Sequence, residues 1–446
     1  MFSRRYLAMW SAIALLGLST ALAATQHVSW LWIVVPLALV ALGIFDLTQQ
    51  RHAILRNYPL WGHFRFLFEF IRPEIRQYFV ENDTDEKPFS RAQRSIVYQR
   101  AKNDVDSRPY GTELDVKAVA HEWISHSLAP TTLDSHDFRI VVGADRAQPY
   151  SMSIFNVSAM SFGSLSANAI MALNLGAKKG NFAHDTGEGS MSKYHREHGG
   201  DIIWEIASGS GGKPTGFKLC IGHPWEFFGI AKAMLETGIL PDFIVVDGAE
   251  GGTGAAPLEF TDHVGVPLQE GLLLVHNTLV GIGLRQRIRI GASGKMITAF
   301  DITKTLAIGA DWVNAARGFM FAVGCIQAQT CHTGRCPTGV ATQDPVRQRA
   351  LVVPDKADRV FSFHHNTLHA LKEIVQAAGL KHPAELRAHH IVRRVSSHEV
   401  QLMSELLKYL EPNDLLNGNY RYSLYEKWWP VAQSDSFSPK VELAVA

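Results

Sequence analysis

The sequence predicts an α/β protein whose main domain is a parallel (βα)8 barrel, with a helical hairpin before it and a helical tail after it. Three observations carry this reading. From Tyr150 onward, short apolar runs ending in Gly, Ser or Asp alternate with helical stretches. Such alternation makes βα units and a parallel sheet. Seven of these runs follow one another, which suits a barrel better than the doubly wound sheet that is the second choice. Finally, Tyr6 to Phe45 contains no Lys, Arg, Asp or Glu. A bilayer core takes ~20 apolar residues per helix, so this run suits two spans.

Composition narrows the function classes. The 446 residues carry a formal net charge of +1, with 46% hydrophobic and 19% charged residues. That is a globular balance with no electrostatic reason to expect nucleic acid. Four cysteines in so long a chain are too few for a disulfide scaffold.

Taken in order, residues 1–50 form the hairpin, with a turn near Gln26-His27. Arg4 and Arg5 precede it, and Arg51, Arg56 and Arg65 follow it. Basic flanks on both sides favour both ends on the cytoplasmic face of the inner membrane. A competing reading makes the first segment a cleaved signal peptide, since Ala21-Leu22-Ala23 has the A-x-A form. The stretch from Tyr58, YPLWGHFRFLFEFIRPEIRQYF, mixes aromatics with Arg. It suits a helix at the membrane interface or one packed on the main domain. Residues 51–145 read as a mostly helical lead-in, with a helical pattern around Leu114–Leu128.

The barrel occupies 146–345. Its strands are expected in SMSIFNVSAMSFG, NFAHDTGEG, DIIWEIASG, PTGFKLCIG, DFIVVDGAEGG, RIRIGASG and DWVNAARG. Helices are expected in SANAIMALNLGAKKG, ending at Gly180, and at Pro224–Thr237, Asn277–Leu284 and Ala299–Ile308. In the tail, 346–446, Asp355 is placed to cap a helix running to Gly379. A second helix is expected at Ser397–Leu410.

Polar and Gly residues stand after the strands, where barrel active sites are built. IGASGKM and NAARGFM follow the last two strands, the usual place for a phosphate; glycine backbone with Lys295 or Arg317 suits an anion there. VVDGAEGGTGAAP packs four glycines into Gly248–Gly254, at an entropic cost. That cost is explained if the backbone lies flat against a planar ligand. Lys218 sits in an apolar strand and is expected to point into the barrel toward an anionic ligand. The loop 324–343, GCIQAQTCHTGRCPTGVATQ, spaces Cys325, Cys331 and Cys336 as C-x5-C-x4-C. Three thiolates suit an iron–sulfur cluster, or zinc with His332 as fourth ligand. Unligated buried thiols are the plain alternative, and spacing does not separate these cases.

VSAMSFGS, DTGEG, DGAEGGTGAAP and the cysteine loop together resemble the FMN-binding synthase domain of glutamate synthase, in particular its short, membrane-anchored, stand-alone members. The resemblance covers roughly residues 90–415. It implies an FMN-type (βα)8 barrel and a 3Fe–4S cluster on Cys325, Cys331 and Cys336. Reduced FMN would then pass a hydride to 2-iminoglutarate, formed from 2-oxoglutarate and ammonia, to give L-glutamate. The flavin would be lined by Ala159, Met160 and Ser161, contacted by Lys218, and held at its phosphate by Gly291, Gly294, Arg317 and Gly318. The catalytic candidates are Lys218, Glu188 and Glu250.

Departures from the family pattern matter as well. Met1-Phe2 leads straight into an apolar segment, with no amidotransferase domain before it, and no Rossmann G-x-G-x-x-G unit is seen. Free or partner-supplied ammonia is therefore expected, and electrons from ferredoxin or a reductase subunit. Glu205 stands where the family usually has Gln. Between DIIWEIASG and PTGFKLCIG lie only four residues, SGGK. Parallel strands need a crossover of about a dozen residues or more, so four permit only a hairpin. The family has a longer segment here that helps form the 2-oxoglutarate site. The barrel is thus expected to miss one βα unit around Ser208–Gly212, leaving two sheet edges. The alternative function is a degenerate flavin and iron–sulfur electron carrier that makes no glutamate. A zinc-stabilised binding module ranks third.

Overall fold

The computed structural model describes residues 4–49, 53–80, 87–108, 110–205, 211–252 and 255–440. The chain divides into two units, Met1–Arg91 and Ala92–Ala446.

In the first unit, the helix Leu7–Ala24 and the segment Trp30–Thr48 are long and apolar enough to cross a membrane. They approach closely at Gly43, where an added Cβ would meet Met9 Sδ at 2.3 Å. A short helix, Ala53–Asn57, and then the helix Trp61–Ile75 follow.

In the second unit, local signals set the helix ends. Ser166 caps Ala167–Gly180 by accepting the Ala169 N–H, and Pro224 opens Pro224–Thr237. A Thr298/Asp301 capping box starts Ala299–Ile308. Such partners satisfy amides that the helix itself leaves unbonded. Pro224–Thr237 and Ala299–Ile308 match the sequence reading to the residue, and the first helix starts one residue later than read because Ser166 is its cap. The helix expected at Asn277–Leu284 is Leu268–Gly281, since its apolar face begins about two and a half turns earlier.

The strands are β1 (Glu122–Ile124), β2 (Arg139–Val142), β3 (Tyr150–Ser153), β4 (Phe155–Val157), β5 (His184–Asp185), β6 (Ile202–Ile203), β7 (Gly216–Leu219), β8 (Phe243–Asp247), β9 (Arg289–Ser293), β10 (Trp312–Ala315), β11 (Ile391–Arg394) and β12 (Val400–Leu402). Seven of them form one parallel sheet in the order β6-β5-β4-β10-β9-β8-β7. The last barrel strand pairs with the first, Val313 opposite Phe155. The ring is broken only between β6 and β7, which do not pair among the described residues.

The break falls where the sequence places it, but its form differs from a hairpin. β6 and β7 run in the same direction, and β6 stops at Ile203. By Gly212 the chain is already at the opposite, N-terminal end of the sheet, where its carbonyl accepts the Gln148 N–H at 3.0 Å. Between Glu205 and Gly211 there are six chain steps, a reach of up to ~20 Å. Of the expected junction at Ser208–Gly212, residues 208–210 lie outside the described residues.

The N-terminal end of the barrel is plugged by the antiparallel β2–β3 hairpin. Val142 and Met152 from the hairpin pack with Val245 and Trp312, flanked by Ile203 and Phe243. These inward side chains would otherwise face water. The 25-residue helix Val353–Ala377 lies against Ala167–Gly180. Gly176 permits the approach, since a Cβ there would meet Val360 Cγ1 at 2.5 Å.

Three other expectations are corrected. Residues 114–128 hold no helix; the segment is turns and β1, whose partner β11 comes from the tail. Ser397–Leu410 is not one helix but β12 followed by the short helix Met403–Leu406, since pairing to β11 outweighs local helix propensity. Asp355 lies in the first turn of Val353–Ala377 rather than at its cap, Val352.

Candidate active site at the C-terminal mouth of the barrel

The inward positions at the C-terminal ends of the strands bring charges together. Lys218, on β7, extends its Nζ to 3.1 Å from Glu205 Oε1 and 3.4 Å from Asp247 Oδ2. Glu205 follows β6, so this ion pair spans the unpaired junction. Asp247 ends β8 and also accepts a hydrogen bond from Ser293 Oγ, at the end of β9. Asp185, on β5, is buried and accepts the Gly187 N–H at 3.0 Å.

This crowding shifts the titration of each group. Burial, and then the charge of Glu205, pushes the Asp185 carboxyl up to about 7. Burial also raises Asp247, against the pull of Lys218. For Lys218, burial works against the charge, but Asp247, Glu205 and Asp185 outweigh it and hold the pKa above its ordinary value. The mouth thus holds a firmly cationic lysine beside a carboxyl that exchanges its proton near neutrality.

Of the three catalytic candidates, only Lys218 lies in this ion-pair cluster. Glu188 is exposed at the rim, within electrostatic reach of Asp247. Glu250 is turned onto the start of the helix Leu268–Gly281, where its two carboxylate oxygens lie 3.1 and 3.0 Å from the Leu268 amide. Asp185 and Asp247 were not singled out from the sequence. The available signal was their place: each is an acid closing an apolar strand, at the head of DTGEG or DGAEGG.

The proposed flavin positions are partly brought together. Ala159, Met160 and Ser161 form the loop after β4, against the loop after β5. A Cβ on Gly187 would meet Ser161 N at 2.8 Å and Met160 N at 3.1 Å. Gly318 stands at the head of the helix Arg317–Ala322. A Cβ there would meet Met296 O, in the loop holding Gly294, at 3.1 Å. Gly291 lies apart, inside β9, where a Cβ would meet the Trp312 ring at 2.5 Å; packing explains that glycine. In the glycine run, Gly252 has φ +67° and an added Cβ there would meet nothing. The open space at Gly252 leaves room for a ligand, and the Lys218 charge suits an anionic one. Thr253 and Gly254 lie outside the described residues.

The cysteine loop packs on the loop after β4. Val340 O accepts the Ser166 N–H at 2.8 Å, and Gln343 donates to Gly163 O and Leu165 O. Tyr98 pins its start through a 2.7 Å hydrogen bond to Cys325 O. Cys325 and Cys336 are buried and Cys331 is half-buried, and all three are free thiols. Burial raises the Cys336 thiol, but the N–H groups of Ala341, Thr338 and Val340 and the Thr338 hydroxyl outweigh it, so its pKa is lowered. A sulfur ringed by N–H donors is chemically suited to ligate as a thiolate. Among the described residues, no group of three His, Cys, Asp or Glu side chains is arranged to hold a metal ion. The three thiols have the donor chemistry of a cluster site, but they are not arranged as a ligand set.

Comparison with known proteins decides the family. The description "Conserved region in glutamate synthase" matches residues 133–215 and 211–381. The chain belongs to the glutamate synthase family. Its barrel is the family's FMN-binding synthase domain, with an internal segment missing. The two matched pieces meet at the β6–β7 junction. The glutamate synthase large subunit-like protein YerD of Bacillus subtilis is 32% identical over 492 aligned residues, covering 81% of this chain and 94% of that protein. That alignment is longer than this chain of 446 residues, so part of YerD has no counterpart here. An archaeal-type glutamate synthase [NADPH] of Thermotoga neapolitana is 36% identical over 43% of this chain, but only 37% of its own length is covered. Among solved structures, flavocytochrome b2 with sulfite bound matches at 12% identity and a TM-score of 0.36, over 80% of this chain and 91% of that one, a likeness too low to bear on function.

Proposed function

We propose that the chain is a membrane-held glutamate synthase-type oxidoreductase that reduces 2-iminoglutarate, formed from 2-oxoglutarate and ammonia, to L-glutamate. Family membership supports the class, and the Lys218–Asp185–Asp247 mouth is the observation that carries the site. When bound, FMN supplies two-electron hydride chemistry and a 3Fe–4S cluster supplies one-electron relay. Ala159, Met160, Ser161, Gly294, Arg317 and Gly318 would hold the flavin, with Gly291 below them in the strand. Cys325, Cys331 and Cys336 would hold the cluster.

The chain's own residues then have defined tasks. Lys218 keeps its proton and offers a fixed positive charge to an anion in the mouth. Asp185, exchanging near pH 7, holds a proton for the nitrogen, which gains one as the carbon takes the hydride. Asp247 and Ser293 orient Lys218 from one side. Glu188, at the rim, faces arriving substrate, and Glu250 holds the glycine loop onto the helix Leu268–Gly281. Electrons would come from ferredoxin or a reductase subunit, ammonia from solution or a partner. The hairpin would anchor the protein in the inner membrane with the barrel on the cytoplasmic side.

A second reading, an electron carrier that forms no glutamate, is favoured by one feature. Lys218 is already paired with Glu205 across the junction where the substrate-binding segment is missing. The deciding experiment is anaerobic purification of full-length protein, with FMN and iron content, followed by assay of glutamate formation from 2-oxoglutarate and ammonia with a chemical reductant. Bound FMN and iron with glutamate formed support the first reading. Bound FMN and iron without glutamate support the second. Protein lacking both groups overturns both.

A further inference from the structure

The helix Trp61–Ile75 lies outside the barrel chemistry and has an unusual surface. Trp61, Phe64, Phe68 and Ile75 recur at helical spacing, so they share one face. All four are exposed, at 55%, 52%, 60% and 40%. Arg65 and Arg72, two turns apart, border this face and are also exposed. Between them runs a groove of about 530 Å3 lined by Arg65, Phe68, Glu69, Arg72 and Ile75. A contiguous aromatic face rimmed by arginines suits a surface that is apolar inside and anionic outside.

The start of the helix is tied to the apolar hairpin. Asp46, in the last turn of the helix Val34–Thr48, is fully buried. It accepts the Leu60 N–H at 2.9 Å, and His63 Nε2 lies 2.9 Å from it. Leu60 itself turns the chain with φ +66°. The aromatic helix therefore begins just after a segment long and apolar enough to cross a membrane.

We propose that the helix Trp61–Ile75 lies along the cytoplasmic surface of the bilayer, with its aromatic face among the upper acyl chains and Arg65 and Arg72 on anionic lipid phosphates. This rests on the reading that the hairpin spans the membrane. The occupant is a lipid surface because the face continues from an apolar hairpin and its rim is cationic apart from Glu69, which Arg65 neutralises at 2.9 Å. Long arginine side chains let the charge reach phosphate while the stem covers apolar surface.

The test places an environment-sensitive fluorescent amino acid, genetically encoded, in full-length protein, either at Phe68 or at Leu39 in the second span. Each protein is reconstituted into phosphatidylcholine vesicles with or without one quarter phosphatidylglycerol. Quenchers are attached to lipid near the head group or at the acyl midpoint. Expected is strongest quenching of the Phe68 probe by the head-group quencher, and of the Leu39 probe by the midpoint quencher. Replacing Arg72 by Glu should lower the ratio of docked to free Phe68 probe at least about fivefold in phosphatidylglycerol vesicles, as expected for ~1 kcal/mol per basic residue near an anionic surface. An unquenched Phe68 probe beside a quenched Leu39 probe overturns the helix proposal and leaves the hairpin reading standing. Two unquenched probes overturn both. A Phe68 signal indifferent to phosphatidylglycerol and to Arg72→Glu removes the lipid phosphate from the proposal.

Discussion

β4 and β10 stand at opposite ends of the barrel sequence and pair along three residues; β6 and β7 follow one another in the chain and do not pair among the described residues. The difference is in the connections. Ala167–Gly180 links β4 to β5, and Pro224–Thr237, Leu268–Gly281 and Ala299–Ile308 link the strands from β7 to β10. Each returns the chain to the bottom of the sheet one strand further round. The segment between β6 and β7 is too short for a strand and helix of its own, so the step there is skipped. Five of the six pairs in this sheet join strands adjacent in the chain; the length of the connection explains why β6 and β7 are the exception. Two polar contacts flank the gap instead. Glu205 and Lys218 meet at the top. At the bottom, buried Asp242 accepts Arg146 at 2.9 Å and the Thr215 N–H at 2.8 Å.

The sharpest test sets two tryptophans against each other. Trp312, on the closed side, is fully buried and donates to Asn314; Trp204, beside the gap, is 50% exposed and donates to Ser190. Trp312→Ala is expected to cost ~3–5 kcal/mol in denaturant unfolding. Trp204→Ala should stay near ~1 kcal/mol, the worth of one hydrogen bond. Equal losses would mean that the gap side is packed as tightly as the closed side.

Asp185 carries the next effect, through pH. Its folded pKa of about 7 lies above the ~3.9 of an unfolded Asp. As pH rises, the unfolded chain loses its proton first, so stability falls between the two values and then levels off. Asp185→Asn should change little at about pH 4. At about pH 8 it should stabilise by up to about 4 kcal/mol, since each pH unit of separation is worth ~1.4 kcal/mol. Thermal unfolding across that range checks it; a variant as pH-sensitive as the parent would show that Asp185 is ordinarily ionised.

Asp242→Ala should cost ~1–3 kcal/mol, because its arginine partners are only partly buried and regain water. If denaturation shows no loss, the lower end of the gap is held by something other than this carboxylate. The smallest stability change belongs to Glu205→Gln, at about 1 kcal/mol, since an amide oxygen still accepts from Lys218. Its value lies in binding: calorimetric affinity for 2-oxoglutarate should rise as the Lys218 charge is released. An unchanged affinity would mean that Glu205 does not hold Lys218 back.

Much of this was legible in the sequence. Two helices were placed to the residue and a third to within one, because Ser166, Pro224 and the Thr298/Asp301 pair act within one turn of chain. The barrel class followed from alternating strand and helix runs, and a break around Ser208–Gly212 from the short connection there, since a crossover has a minimum length. What spacing did not reveal was any feature that depends on distant residues meeting. β1 was read as helix because its partner, Ile391–Arg394, lies far along the chain in the tail. Lys218 was found as a charge in an apolar strand, yet its pairing with Glu205 across the gap came from the fold. The neutral-range carboxyl of Asp185 likewise came from burial and from Glu205 on the neighbouring strand. Local caps and connection lengths are properties of the chain itself; ionisation and long-range pairing are set by the surroundings that folding creates.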